Sequence, residues 1–296
     1  MKRELFETEH NMFRKSFRTF LEREVLPHRN EWEAAGIVSR DIWLKAGKNG
    51  FLVPWVDEQY GGTGVKDFRF DQIICEELGR ANEAGVFIPL QNSLVAPYIN
   101  EFGNEEQKTR ILPKCVTGET ILAIAMTEPG TGSDLAGMKT KAVDKGDHFI
   151  LNGSKTFISN GLLADVILVA ARTDPENPHA MGMFIVERGQ EGFERGRNLE
   201  KMGMKSQDTA ELFFSNVIVP KTNVLGDPSQ GFMYLMKMLA QERLTLACGA
   251  VGGAQAAYDL TKIYIKERKA FGKPISKFQN TRFKMAEMKT EIDMAQ

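Results

Sequence analysis

Apolar residues recur at helical spacing through the first third of the chain. The predicted helices cover residues 8–30, 41–46, 67–80 and 89–102. Asn104 opens a capping-box pattern that closes at Gln107, so we expect a short helix there that ends before Pro113. Residues 1–120 are therefore predicted to form an all-helical N-terminal domain.

The pattern changes near Ile121, where short apolar runs replace the helical stripes. Asn152-Gly153 and Asn160-Gly161 are turn signals on either side of a predicted strand at 155–159. Further strands are predicted at residues 166–170, 183–186 and 212–214. We predict that residues 121–225 form a middle domain, an antiparallel β-barrel or sandwich.

A long helix without proline is predicted at 232–268. Its apolar stripe, in steps of three and four, is Leu235, Leu239, Glu242, Leu246, Gly249, Gly253 and Ala257. Glu242 is the one charged member. Helix geometry alone favours a structural carboxylate paired with the neighbouring Arg243, because buried charges are usually paired.

Residues 226–296 are predicted to form a C-terminal helical domain. Because Gln296 ends the sequence inside a helical pattern, we expect a helical bundle that is truncated. The predicted fold class is thus α+β and multidomain: an N-terminal helical domain, a middle antiparallel β domain and an incomplete C-terminal helical bundle.

Composition and charge exclude several functional classes. The 296 residues carry 38 Lys and Arg against 39 Asp and Glu, a net charge of −1, which does not favour nucleic acid as a partner. Three scattered cysteines and four unclustered histidines give no metal-ligand spacing, so no metal site is predicted. No apolar window is long enough for an integral membrane segment. The odd cysteines and the lack of a signal peptide predict a bacterial cytoplasm, with a mitochondrial matrix as the alternative.

Three segments carry candidate chemistry, each with an ordinary structural alternative. Residues 125–134 could bind phosphates or a ring edge through backbone N–H groups, or form a plain turn. Phe157 and Ser159 share a strand face that suits a flat conjugated ring, or simply a half-buried strand. The cationic run 266–275 is either a pyrophosphate clamp or the complement of a helix dipole.

Taken together, these segments resemble the acyl-CoA dehydrogenase family from one end of the chain to the other. Residues 125–134, 151–161 and 267–273, the last followed by Phe278-Gln279, resemble the three flavin-binding segments of that family in order. The likeness is greatest to the long-chain branch, through Ile124-Ala-Met-Thr, Phe157-Ile-Ser159 and Gln241-Glu-Arg-Leu244.

The resemblance implies FAD as the cofactor and a homotetramer, in which one subunit reaches the FAD of a neighbour. The implied cofactor-binding residues are Ile124, Met126, Thr127, Gly132, Ser133, Phe157, Ile158 and Ser159. Four further residues are implied to contact the FAD of the neighbouring subunit: Arg268, Phe271, Ile275 and Gln279. The implied substrate-binding residues are Ser133, Gln241 and Arg243.

The resemblance also assigns Glu242 as the catalytic base instead of a structural carboxylate. It implies a step of fatty acid β-oxidation in which acyl-CoA, acting as substrate, becomes trans-2-enoyl-CoA: Glu242 removes the α-proton, flavin N5 takes the β-hydride and an electron-transfer flavoprotein receives the electrons. The alternatives are an isovaleryl or other branched-chain enzyme, a truncated relative that only binds acyl-CoA, and an oxidase that uses oxygen directly.

Overall fold

The computed structural model describes residues 4–177 and 179–296. These residues form two compact units. The larger unit contains residues 28–67 and 85–242, and the helical unit contains residues 4–27, 68–84 and 243–296. The division by sequence into 1–120, 121–225 and 226–296 stays a prediction.

The helices of the described residues follow the predicted order, except that the helix predicted at 8–30 is divided into two α-helices by π- and 3₁₀-helical residues at 21–28. They are α1 (Thr8–Phe20), α2 (Arg29–Ala35), α3 (Asp41–Lys48), α4 (Phe68–Ala81), α5 (Ala96–Phe102), α6 (Glu105–Thr117), α7 (Gly231–Glu267) and α8 (Gln279–Ala295). A π-helical turn, Leu90–Val95, leads into α5. None of the described helices combines the length and the apolar composition needed to cross a bilayer.

Helix α6 confirms its predicted start and corrects its predicted end. The Asn104 side chain accepts a hydrogen bond from the Gln107 N–H, and the Gln107 side chain accepts one from the Asn104 N–H. The helix then runs through Pro113 to Thr117, so the expected end before Pro113 is wrong. Proline leaves one carbonyl without its helical partner, that of Thr109, and Thr109 lies on the exposed face, where water can satisfy it.

The strands of the larger unit form one sheet. They are β1 (Leu122–Ala125), β2 (Lys141–Asp144), β3 (His148–Ser159), β4 (Val166–Arg172), β5 (Met181–Glu187), β6 (Phe193–Asn198), β7 (Thr209–Pro220) and β8 (Val224–Leu225). The order is β6-β7-β3-β2-β4-β5-β8, with β1 also paired to β4. A small hairpin in the helical unit pairs β9 (Lys269–Ala270) with β10 (Lys273–Pro274).

The sheet is mixed and not wholly antiparallel as expected. Strand β1 runs parallel to β4, with Leu122 opposite Val166, and β2 meets β4 in parallel at one position. The remaining pairings between named strands are antiparallel. A buried apolar run marks a strand without marking its direction, which is why the sequence pattern missed this pairing. The fold class of helical, β and helical segments is confirmed.

The buried stripe of α7 differs from the predicted one. Leu235 and Glu242 are buried as expected, but Leu246 is 56% exposed. Thr245, Gly252 and Ala256 are buried instead. A helix has 3.6 residues per turn, so a stripe read in steps of three and four can drift by one position along a helix of 37 residues.

Within the helical unit, small residues let α4 and the second half of α7 approach backbone to backbone. A Cβ atom on Gly252 would lie 2.7 Å from the Glu76 carbonyl oxygen, and one on Gly79 would lie 2.5 Å from that of Gly249. Real Cβ contacts are longer than this, so both positions require glycine. Gly249 has more room, since its Cβ would meet only the Cys75 carbonyl oxygen at 4.0 Å.

These clearances predict opposite effects for two substitutions on one helix. Gly252→Ala should lower the free energy of unfolding by about 1–3 kcal/mol, because the methyl group pushes two backbones apart. Gly249→Ala is the matched control, and it should be neutral or stabilising by up to about 1 kcal/mol through helix propensity. Urea unfolding of both variants measures the difference. Equal stabilities of the two variants would contradict the close crossing.

Candidate active site

The candidate catalytic carboxylate lies on α7 and meets a phenol. Glu242 is buried, 9% exposed, and Tyr98 on α5 is fully buried. The Tyr98 hydroxyl donates a hydrogen bond to Glu242 Oε1 over 2.8 Å. Burial raises the pKa of Tyr98 well above its ordinary value, and the Glu242 charge and this hydrogen bond raise it further. Tyr98 therefore stays protonated and acts as a donor.

Gln241, a predicted substrate-binding residue, anchors α7 to the π-helical turn. Its Nε2 donates to the Ser93 carbonyl oxygen over 3.1 Å. The Ser93 side chain is buried, and within the described part of the chain its Oγ has no hydrogen-bond partner. The Ser93 hydroxyl is thus a buried polar group near Glu242 whose hydrogen bonds are not satisfied within the described residues.

The first predicted flavin segment leaves the end of β1 and folds back on itself. Ile124 and Met126 are half-buried on one side of the strand, while Ala123 and Ala125 face the core. Beyond Met126, the backbone N–H and carbonyl groups of Glu128 and Thr131 exchange hydrogen bonds of 2.8 and 3.1 Å.

The tip of this loop is open. Gly132 and Ser133 are both exposed, and nothing lies within 4 Å of where a Gly130 or Gly132 side chain would begin. Thr127 is half-buried at the base of the loop. Backbone groups and the Ser133 hydroxyl are therefore accessible to a polar ligand at this loop.

A buried lysine joins the first predicted flavin segment to the second. Lys155 Nζ on β3 donates to the Met126 carbonyl oxygen over 2.9 Å and to Glu128 Oε1 over 3.0 Å. The Thr156 N–H donates to the Thr127 carbonyl oxygen over 3.0 Å. The segments that the sequence singled out separately are thus locked together at their bases.

Lys155 and Glu128, the two charged residues of this junction, each affect the pKa of the other. Burial lowers the pKa of Lys155 to about 8, although Glu128 opposes the shift. Burial alone would raise the pKa of Glu128, but the Lys155 charge and the hydrogen bonds from Thr140 and Lys139 outweigh it and hold that pKa below its ordinary value. Sequence reasoning did not single out Lys155 or Glu128, although both lie inside the quoted motifs.

The second segment presents its aromatic ring outward. Phe157 is 67% exposed, and its φ of 59° lies in the left-handed region that few residues other than glycine adopt. Ser159, two residues on, is half-buried, and Ile158 between them is buried in the sheet core. Of the three predicted cofactor contacts, Phe157 and Ser159 offer side chains, whereas Ile158 offers its backbone.

The third predicted segment lies in the helical unit at the β9–β10 hairpin. Phe271 at its tip is 94% exposed with a φ of 52°. Arg268 and Gln279 are exposed, and Ile275 is half-buried, its N–H bonded to the Arg268 carbonyl oxygen over 2.8 Å. Arg243, which the sequence assigned to the substrate, is also exposed in this unit. An exposed phenylalanine beside exposed cations suits a surface that another molecule covers.

Comparison with known proteins gives the family. The chain matches the acyl-CoA dehydrogenase N-terminal domain at residues 7–119, the middle domain at 123–217 and the C-terminal domain at 229–296. It is 47% identical over 293 residues to the long-chain specific acyl-CoA dehydrogenase of Sus scrofa mitochondria, covering 98% of this chain and 68% of that protein.

Solved structures agree with this match. An acyl-CoA dehydrogenase from Geobacillus kaustophilus superimposes with a TM-score of 0.96 at 53% identity, covering 99% of this chain and 78% of that one. An acyl-CoA dehydrogenase complexed with FAD from Bacillus anthracis gives a TM-score of 0.92 at 34% identity, covering 100% of this chain and 50% of that one. The chain belongs to the acyl-CoA dehydrogenase family, whose members are oxidoreductases with FAD as cofactor.

The Lys155–Glu128 junction predicts a large loss of stability when one partner is removed. Lys155→Met leaves Glu128 buried without its cation, and should lower the free energy of unfolding by about 3–5 kcal/mol. Adding Glu128→Gln should recover part of that loss. Urea unfolding of the single and double variants measures both effects.

The matched control is Lys66→Met, which breaks an exposed ion pair with Asp57 of the same 3.0 Å length in the same unit. It should stay within about 1 kcal/mol of wild type. Because the pKa of Glu128 is lowered on folding, its contribution is present above its ordinary value of 4.5 and is lost as the pH falls below it. A Lys155→Met variant as stable as the control would show that the pair is not structural.

Proposed function

We propose that this protein dehydrogenates long-chain acyl-CoA between Cα and Cβ to give trans-2-enoyl-CoA, with Glu242 as the base. The observation that carries the proposal is a buried carboxylate on α7, in the context Gln241-Glu-Arg-Leu244, held by a buried phenol. The 47% identity to a long-chain specific enzyme supports the substrate class.

The geometry suits proton abstraction. A carboxylate withdrawn from water is a stronger base than one in solution, and it can take the weakly acidic α-proton of a thioester. A donor to the thioester carbonyl stabilises the negative charge that develops as that proton leaves. FAD, when bound, supplies the acceptor for the hydride that leaves Cβ.

The open positions of the flavin segments fit a large flat cofactor. We assign Phe157 to stack against the ring system, with the hydroxyls of Thr127, Ser133 and Ser159 as hydrogen-bonding partners. The backbones of Ile124, Met126, Gly132 and Ile158 complete this set. Lys155 in the second segment fixes its separation from the first segment by donating to the Met126 carbonyl oxygen.

The exposed hairpin fits a contact with another subunit. We assign Arg268, Phe271, Ile275 and Gln279 to the FAD of a neighbouring subunit, within a homotetramer. Ser133, Gln241 and Arg243 are assigned to the CoA-bearing part of the substrate. An electron-transfer flavoprotein is proposed as the electron acceptor, and a bacterial cytoplasm as the location, with the mitochondrial matrix as the alternative.

Removing the base tests the proposal directly. Anaerobic palmitoyl-CoA should bleach the flavin of the FAD-loaded protein, and Glu242→Gln should slow that bleaching at least about 100-fold, because a general base contributes a factor of about 10²–10⁴. The variant should keep its flavin, since Glu242 is not assigned to the cofactor. Stopped-flow absorbance of the flavin is the measurement.

Glu106→Gln is the control for this experiment. Glu106 lies on α6 of the same unit, but its side chain is 58% exposed and ion-paired with Arg110, and it is assigned to no ligand. It should bleach at the wild-type rate. Normal bleaching by Glu242→Gln would refute the assignment of the base, and isovaleryl-CoA bleaching faster than palmitoyl-CoA would refute the long-chain assignment.

The stacking role of Phe157 predicts weaker cofactor binding. Phe157→Ala removes a ring contact worth about 0.5–1.5 kcal/mol beyond its buried area, so FAD affinity should fall about tenfold. Phe213→Ala is the control, since Phe213 is an exposed ring on β7 of the same sheet and is assigned to no ligand. Flavin fluorescence during titration of the apoprotein gives both dissociation constants. Equal affinities of the two variants would remove Phe157 from the site.

A further inference from the structure

The position of Tyr98, which donates to Glu242, is fixed by burial and by aromatic packing. Tyr98 is fully buried, and its ring lies 6.2 Å from that of Phe102 one turn further along α5. Phe102 in turn stacks on Tyr234 of α7, with ring centroids 3.9 Å apart. The phenol is thus held by the same pair of helices that carries the carboxylate.

Two polar contacts set the register between these helices within the larger unit. Lys237 on α7 pairs with Glu101 on α5, and Gln241 on α7 donates to the Ser93 carbonyl of the π-helical turn. The ring stack, the ion pair and the amide contact together fix this half of α7 against α5. The 2.8 Å hydrogen bond from Tyr98 to Glu242 is therefore a defined feature of the packing.

We propose that Tyr98 is a positioning residue for the base: by holding Oε1, its hydroxyl fixes the rotation of the Glu242 carboxylate and so directs the second oxygen at the substrate α-carbon. This inference rests on the proposed role of Glu242. A carboxylate on a flexible side chain otherwise rotates about its last bond, and only some orientations bring an oxygen within reach of the proton to be removed.

A phenol suits this task for a chemical reason. It can donate to Oε1 both when the carboxylate is ionised and, more weakly, after the second oxygen has taken the proton, so the orientation is kept through the step. Burial and the nearby Glu242 charge keep Tyr98 protonated over the working range of pH. Lys237 and Glu101, which lie on the same two helices, are paired with each other, and Arg243, which follows Glu242 on α7, is exposed.

Tyr98→Phe removes the hydroxyl and retains the ring, and its effect should appear in the rate and not in substrate binding. The limiting rate of flavin bleaching by palmitoyl-CoA should fall about 10- to 100-fold, with the half-saturating concentration of palmitoyl-CoA unchanged. The acidic limb of the pH–rate profile should move up by about one pH unit, because the lost donor stabilised the ionised carboxylate.

Tyr60→Phe is the matched control. The Tyr60 hydroxyl also donates to a glutamate in the larger unit, Glu105, but neither residue is assigned to the site. This control should leave both the rate and the pH profile as in wild type. A Tyr98→Phe variant with the wild-type limiting rate and acidic limb would overturn the positioning role.

Replacing Tyr98 with 3,5-difluorotyrosine supplies a second arm of opposite sign. The fluorinated phenol is a stronger donor, so the acidic limb should move to lower pH while the fold is retained. An unmoved limb, or one that moves to higher pH, would count against the proposal.

Two outcomes separate this inference from the proposed function. If Glu242→Gln bleaches normally, the base itself is wrongly assigned and the role of Tyr98 is lost with it. If Glu242→Gln is inactive while Tyr98→Phe behaves as wild type, the base stands and the inference alone is wrong.

Discussion

A carboxylate buried in a protein interior is stable only where a donor meets it, and this constraint organises the larger unit. Glu128, Asp208 and Glu242 are all buried there. Lys155 and two backbone N–H groups meet Glu128, the N–H groups of Leu162 and Leu163 meet Asp208, and Tyr98 meets Glu242. These contacts join residues 11 to 144 positions apart in the sequence, so satisfying the charges also helps to fix the fold.

In the helical unit, the main constraint is the close packing of helices against α4. Its long helix has to lie against α4 closely enough that a methyl group does not fit at Gly252. Arg14 and Arg18 on α1 meet Glu77 on α4, with Arg14 also reaching Glu76, the residue whose carbonyl faces Gly252. Glycine brings the backbones together on one side of α4, and ion pairs hold the other side to α1.

Local patterns in the sequence predicted local structure well. The reciprocal bonds of Asn104 and Gln107 follow from residue types three positions apart, and the sequence contains all the information they need. The continuation of α6 through Pro113 depends instead on which face of the helix is exposed, which only tertiary packing decides. The parallel pairing of β1 with β4 likewise depends on a partner about 40 residues away.

The residues of the candidate site likewise differ in how far the sequence could predict them. Glu242 was recognisable because a lone charge interrupts an apolar stripe, and the family motif then gave it a role. Tyr98 carries no such signal, since a tyrosine in an apolar helix is ordinary and its partner lies 144 positions further along the chain. The sequence did predict a helix at residues 89–102, which includes Tyr98, but not that the Tyr98 hydroxyl would point at the carboxylate.

Glu128 and the proposed base Glu242 differ in the kind of donor that meets the carboxylate. An ammonium group stabilises an anion strongly, and beside Lys155 the pKa of Glu128 lies below its ordinary value, so Glu128 stays ionised and is a poor proton acceptor near neutral pH. A neutral phenol orients a carboxylate while stabilising its charge far less than an ammonium does. A phenol donor such as Tyr98 therefore suits the role of proton acceptor that we propose for Glu242.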